Sequence, residues 1–168
     1  LTQKATNLLR QATKQDIGSL QEIFAHARLF MKQTGNPHQG AEDYPSVALL
    51  EKDIESGDCY VCMLDNEVVA CFVLRPGNDP TYTDIYEGAW LNDAPYATIH
   101  RIASLGKVSG IMHKAMCFAK ERYHSIRIDT HRDNMVMRNA IQREGFKYCG
   151  IIHCWNGDER LAYQYNKE

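Results

Sequence analysis

The sequence predicts an α/β fold of the α+β kind, a mixed sheet of about seven strands flanked by about four helices. Three patterns carry this prediction. Apolar residues recur at spacings of three and four from Ile17 to Met31, as they do along one face of a helix. Two hydrophobic runs, CYVCML and VVACFVL, flank Asp65-Asn66-Glu67, the pattern of a hairpin. From Ala97 onward the strand and helix signals follow one another as β-α-β-α-β-β.

In chain order, NLLRQAT (7–13) is a short strand, and Thr13 with Asp16 three residues later marks a helix start. Leu20, Ile23, Phe24, Ala27, Phe30 and Met31 then form one buried stripe, stopped by Gly35, Asn36 and Pro37. A polar loop containing His38 leads to Tyr44-Pro45-Ser46, after which VALLEKDIES is a shorter helix ending at Gly57. The strands at 59–64 and 68–74 are almost continuously hydrophobic, as suits the middle of a sheet covered on both faces. Residues 76–96 mix Pro76, Gly77, Pro80, Gly88 and Pro95 with Tyr82, Tyr86, Trp90 and Tyr96. Such aromatic content predicts an ordered loop rather than a linker. A strand at 97–103, a helix over about 108–123, a strand at 125–131, a helix at 134–144 and strands at 146–154 and 159–166 complete the chain.

At 168 residues, 44% hydrophobic and 24% charged, the chain is expected to form a single domain, 1–168, folding alone or as a homodimer. Its formal charge of −2, with Lys and Arg dispersed, provides no basic field, so no nucleic-acid partner is expected. Without a long apolar run or a basic-then-apolar leader, neither membrane association nor secretion is expected, and the predicted location is cytoplasmic. The six cysteines lie in core-like segments and behave as small hydrophobes in a reducing compartment. Cys59 and Cys62 form a CxxC, but on an extended run positions three apart face opposite ways. Seven histidines include no HExxH or Cys/His finger spacing, so no metal is expected.

Chemistry concentrates where the strand ATIHRIA meets the following helix. Ser104-Leu105-Gly106-Lys107 lies between them, with Ser109-Gly110 at the predicted first helical turn. Backbone N–H groups and a positive helix end converge there, glycines permit close approach, and Lys107 adds charge, so the junction can take a diphosphate. A simple tight turn is the alternative. The nucleotide pattern GxxxxGK[ST] and the dinucleotide pattern GxGxxG are both absent.

The order of the following pieces resembles the GNAT acetyltransferases over roughly residues 8–165. In that superfamily a strand leads into R/Q-x-x-G-x-G/A at a helix start, followed by a strand, an Asn-headed helix and a Gly-Phe pair opening the next strand. HRIAS, LGKVSG, IRIDTH, NMVMRNAIQREGF and FKYCGII occupy those places, with Gly110, Asn134 and Gly145-Phe146 matching residue by residue. Leu105 stands at the Arg/Gln position, Val108 at the middle glycine, and Ile141 where the family often has a Tyr acid five residues before the Phe.

The resemblance implies a mostly antiparallel GNAT-like sheet with a splayed parallel strand pair, 97–103 and 125–131, that receives acetyl-CoA as co-substrate without metal. Cofactor contacts are then expected from Ile102, Ala103, Ser104, Gly106, Lys107, Val108, Ser109, Gly110, Ile111 and Asn134. The acceptor would be a primary amine of a small molecule or peptide, attacking the thioester directly. A neutral amine is required for that attack, so a base is needed, and a strand N–H would steady the oxyanion. His100, Glu87 and Asp129 are the candidate bases. The alternatives are a packed strand histidine for His100, solvated loop charge for Glu87, and an Arg101–Asp129 ion pair for Asp129. Tyr82, Tyr86 and Trp90, beside acidic residues of the 76–96 loop, are candidate contacts for a cationic acceptor, or else packing of that loop. A non-catalytic acyl-CoA-binding or regulatory module on the same fold is the alternative function.

Overall fold

The computed structural model describes residues 7–34 and 44–168. The breakers at 35–37 and the His38 loop lie outside the described residues. Seven strands, β1 (Asn7–Gln11), β2 (Cys59–Leu64), β3 (Glu67–Pro76), β4 (Ala97–Ser104), β5 (Ser125–Thr130), β6 (Lys147–His153) and β7 (Glu159–Asn166), form one mixed sheet in the order β1-β2-β3-β4-β5-β7-β6. Among the described residues four α-helices, α1 (Ile17–Gln33), α2 (Val47–Glu55), α3 (Ile111–Arg122) and α4 (Met135–Arg143), accompany it. The mixed sheet and helix number predicted from the sequence are therefore present. The chain divides into two compact units, residues 1–74 with 101–111 and residues 75–100 with 112–168.

In the first unit the start of α1 is fixed locally. Thr13 and Asp16 make a capping box, the Asp16 carboxylate accepting the Thr13 N–H at 2.7 Å. Arg10 grips the same carboxylate with two bonds of 2.8 and 2.9 Å, and these contacts hold the Asp16 carboxyl below its ordinary range against the opposing effect of burial. Ser46 caps α2, its hydroxyl accepting from the Leu49 N–H at 3.1 Å. Leu20, Ile23 and Phe24 of α1 and Leu50 of α2 pack with Cys59, Val61, Cys71 and Val73 in one core cluster. Cys62 belongs to another cluster, with Val69, Ala70 and Ile111, as expected for CxxC positions on opposite faces. The hairpin turn is two residues long, Asp65 and Asn66 at φ +47° and +71°, and Glu67 already pairs with Leu64. Asp and Asn tolerate these angles better than other side chains do, which is why this pair closes the hairpin.

In the second unit β5 pairs antiparallel with β7, which pairs antiparallel with β6. β4 runs parallel to β5, and their register covers only Ala97↔Ile126 and Thr98↔Arg127. Asn134 caps α4 by accepting the Met137 N–H at 3.2 Å. At the far end of that helix Gly145 takes φ +88°, its N–H bonding Gln142 O while the Phe146 N–H reaches back to Ile141 O. This is a left-handed helix stop, and it delivers the buried Phe146 ring against Tyr165 at 5.7 Å. The Gly-Phe pair thus ends one element and anchors the next.

The loop over residues 76–96 is ordered by backbone contacts to β6 within this unit. Tyr86 and Ile151 exchange two bonds of 2.8 Å, and the Ala89 N–H donates to Cys149 O at 2.9 Å. At Gly88 the fit is so close that a Cβ would lie 1.9 Å from Cys149 O. Among the described residues, no helix is long and apolar enough to cross a membrane.

Candidate active site

The glycine-containing junction belongs to the first unit. α3 begins at Ile111 rather than at the predicted position of about 108. The reason is in the loop: Gly110 sits at φ +78°, which a right-handed helix does not accept, and Val108 is drawn into the cluster of Cys62, Val69, Ala70 and Ile111. Leu105 packs against the α1–α2 core, and its N–H is taken by Val69 O at 2.9 Å. Leu105 and Val108, two of the three departures from the family pattern, therefore peg the loop to the protein by apolar contact. Between the pegs, Gly106 bends at φ +75° with its N–H donated to Ser104 Oγ at 3.0 Å. A Cβ added at Gly106 or Gly110 would meet no atom within 4 Å, so the backbone faces open space on these sides. The first amides of a helix lack intrahelical acceptors. Together these features fit a diphosphate. Lys107 forms an ion pair with Glu67 at 2.6 Å.

Ile102, Ala103 and Ser104 form the end of β4. Arg101, just before them, adopts φ +49°, an uncommon angle for a non-glycine residue and a mark of strain within a strand. Its guanidinium holds Asp53 bidentately at 2.7 and 2.9 Å, with Asp53 fully buried. Burial works against the Arg101 charge, but the Asp53 contacts more than offset it. In place of the Arg101–Asp129 pair considered as an alternative, Arg101 pairs with Asp53, a partner 48 residues away that local spacing does not reveal.

The ionisable candidates lie in the second unit. His100 Nε2 is 2.9 Å from Asp79 Oδ2. Asp79 also accepts from the Thr81 N–H at 2.9 Å and the Thr81 hydroxyl at 2.7 Å. Burial pushes this carboxyl up, yet the bonds from His100 and Thr81 outweigh burial and bring it down to about 2. An ionised Asp79 can only accept, so the His100 Nε2–H donates, and Nδ1 is the nitrogen that can take a proton. Asp129, by contrast, accepts from the Tyr82 hydroxyl at 2.6 Å. Burial first, and then the Asp129 charge, push the Tyr82 phenol well above its ordinary range, so Tyr82 keeps its proton. Glu87 is exposed, in a left-handed conformation at φ +55°.

The three aromatic candidates separate. Tyr82 is buried and Trp90 half-buried, the indole N–H donating to Tyr82 O at 2.9 Å. Arg127 lies over the Trp90 ring at 4.1 Å and the Tyr96 ring at 4.0 Å, so an internal cation already occupies the kind of ring face a cationic acceptor was expected to use. Burial lowers the Arg127 pKa. Tyr86 is half-exposed and meets His153 edge-on at 5.0 Å. Arg127 was not singled out from the sequence, and Asp79 only as one of the acidic residues beside the aromatics of the 76–96 loop; Asp-Pro-Thr at 79–81 is a capping signature that could have shown Asp79 to be held in place. His131 accepts the Asp133 N–H at 3.1 Å, on the turn leading to Asn134. Among the described residues no group of three or more His, Cys, Asp or Glu could hold a metal ion.

No protein-family model and no curated protein matches the chain. Solved structures do. A GNAT-family acetyltransferase from Streptococcus agalactiae 2603 is 31% identical, with 96% of each chain covered and a TM-score of 0.84. A GNAT-family acetyltransferase from Listeria monocytogenes 4b F2365 is 20% identical over 95% of this chain and 94% of its own, with a TM-score of 0.68. A ribosomal-protein-alanine N-acetyltransferase from Brucella melitensis shares the fold at 16% identity, covering 95% and 99% of the two chains with a TM-score of 0.60.

Proposed function

We propose that this chain, which belongs to the GNAT family of acetyltransferases, transfers the acetyl group of acetyl-CoA to a primary amine of a small molecule or peptide. The observation that carries the reading is His100 held through Nε2 by an ionised Asp79, an arrangement that leaves the other ring nitrogen as the proton acceptor. The bound co-substrate supplies a thioester carbonyl. The amine nitrogen bonds to that carbon and the C–S bond breaks, while His100 Nδ1 takes the proton the amine sheds, directly or through a water. Asp79 fixes the tautomer and steadies the imidazolium, as the third member of a base-orienting set does elsewhere.

For the diphosphate, the reading assigns the backbone of Ser104, Gly106, Lys107, Val108, Ser109, Gly110 and Ile111, supported by the open flanks of the two glycines. Ile102 and Ala103 are assigned to the pantetheine arm by main-chain pairing, and Asn134 to a further cofactor contact. Asp129 and Glu87 rank behind His100 as bases, Asp129 because it already accepts a hydrogen bond from the Tyr82 hydroxyl and Glu87 because it is exposed. Of the three aromatic candidates, Tyr86 is the most exposed and is assigned to the acceptor. The frequent family Tyr is replaced by the fully buried Ile141, so the leaving thiolate would be protonated by solvent or by the imidazolium.

That same Ile141 favours a second reading, a non-catalytic acyl-CoA-binding module. Calorimetry with acetyl-CoA and CoA, together with turnover, separates the two. Under the main reading Gly110→Leu weakens cofactor binding more than His100→Ala, and His100→Ala mainly lowers kcat. The reverse ranking would overturn the assignment of roles, and absence of binding at millimolar ligand would overturn both readings.

A further inference from the structure

A second chemically equipped cluster lies on α3 and the end of α4, inside the second unit and apart from the His100–Asp79 pair. Cys117 and His113 are four residues apart on one helix face, with Cys117 Sγ 3.4 Å from His113 Nε2. The other ring nitrogen, Nδ1, is 2.9 Å from Glu144 Oε1 and 3.1 Å from Oε2. Glu144 closes α4, its N–H taken by Ala140 O and Ile141 O, and its carboxylate is largely buried. Lys120 donates to Glu144 O at 2.5 Å and places its Nζ 3.8 Å from Oε2, beneath which the Tyr165 ring lies at 4.4 Å from the ammonium. The carboxylate is thus held and charge-balanced while it orients the imidazole.

The tautomer follows from this geometry. Glu144 as a carboxylate accepts from the His113 Nδ1–H, so Nε2 presents its lone pair to the thiol. Nucleophile, base and orienting carboxylate stand in the relation that activates catalytic thiols. The other cysteines differ. Cys59, Cys62, Cys71 and Cys149 are buried, and burial pushes the Cys59 thiol up to about 12 and that of the half-buried Cys154 to about 11.

We propose that Cys117 is a reactive thiol and a site of modification by small disulfides, with His113 as its proton acceptor and Glu144 as the residue that positions His113. The Cys117 S–H proton passes to His113 Nε2 as the sulfur bonds to one sulfur of the disulfide. The original S–S bond breaks, and the other half leaves as a thiolate. The Cys117 sulfur rises to the disulfide level as the departing sulfur falls to the thiolate level, so the number of S–S bonds is unchanged and no outside oxidant is needed. This chemistry is independent of acetyl transfer.

The test uses the native full chain with dithiobis(nitrobenzoate), whose released thiolate is coloured, followed by peptide mapping. About one equivalent should be released rapidly and map to Cys117, the remaining thiols reacting only on unfolding. His113→Gln, at a side chain 70% exposed and so harmless to folding, should slow the rapid phase about tenfold or more at pH 7. The gap should close above about pH 9.5, where thiols ionise unaided. Glu144→Gln should slow the same phase to a lesser degree, and Cys117→Ser should abolish it. Cys117 reacting no faster than its neighbours in sequence number Cys71 and Cys149, or an unchanged rate in His113→Gln at pH 7, would overturn the proposal.

Discussion

Replacing Asp79 by Asn removes a charge while leaving a shape-matched acceptor for the Thr81 N–H and hydroxyl. What it loses is the charge-assisted bond to His100 Nε2 at 2.9 Å. The carboxyl's titration sets an upper bound on that loss, since burial raises it while the His100 and Thr81 bonds together bring it from the ordinary 3.8 to about 2 in the folded protein. At roughly 1.4 kcal/mol per pH unit this is about 2 kcal/mol of stability, with modest discount because the Asp79 side chain is only 15% exposed. Since the folded value lies below the unfolded one, the contribution is complete above about pH 5 and is lost as pH falls through about 2. Urea unfolding of Asp79→Asn at pH 6 should therefore show a deficit of about 1–2 kcal/mol, shrinking toward zero near pH 2. Acetyl transfer at saturating substrates should fall as well, because the neutral amide no longer fixes which His100 nitrogen carries the proton. Equal acid sensitivity of the two proteins, or unchanged kcat with Asp79→Asn, would refute the reasoning.

Asp53→Ala strands the Arg101 guanidinium, whose side chain is only 10% exposed, and should cost about 3–5 kcal/mol in urea unfolding; a cost below about 1 kcal/mol would mean that Arg101 finds water instead. Gly88→Ala forces a Cβ onto Cys149 O and should cost about 1–3 kcal/mol, visible as a melting temperature several degrees lower. Gly18→Ala, inside α1 with nothing within 4 Å of its Cβ, should instead stabilise by about 0.5–1 kcal/mol in the same melt.

The features readable in the sequence are those set by neighbours along the chain. The Thr13–Asp16 capping box, the Asp65-Asn66 turn and the Gly145-Phe146 helix stop each depend on a few adjacent residues, and each stands where its residue types predicted. The start of α3 was misjudged by about three residues because Val108 obeys the core rather than helix propensity. The partners in the candidate site were less legible. Arg101–Asp53, His100–Asp79 and Tyr82–Asp129 join residues 48, 21 and 47 positions apart, and Arg127 takes the aromatic faces that composition alone offered to a ligand. Spacing could nominate His100 and Asp129 as ionisable. Only the folded chain shows that Asp79 orients the first, while Tyr82 holds the second.

The most direct test is release of free CoA thiol from acetyl-CoA, measured against polyamines, aminoglycosides, amino acids and peptide N-termini, with acetylated product followed by mass. The account predicts that at least one primary amine releases one CoA per acetylated molecule, and that His100→Ala suppresses this release while leaving acetyl-CoA binding largely intact. Full acetyl-CoA binding without thiol release across the panel would contradict it.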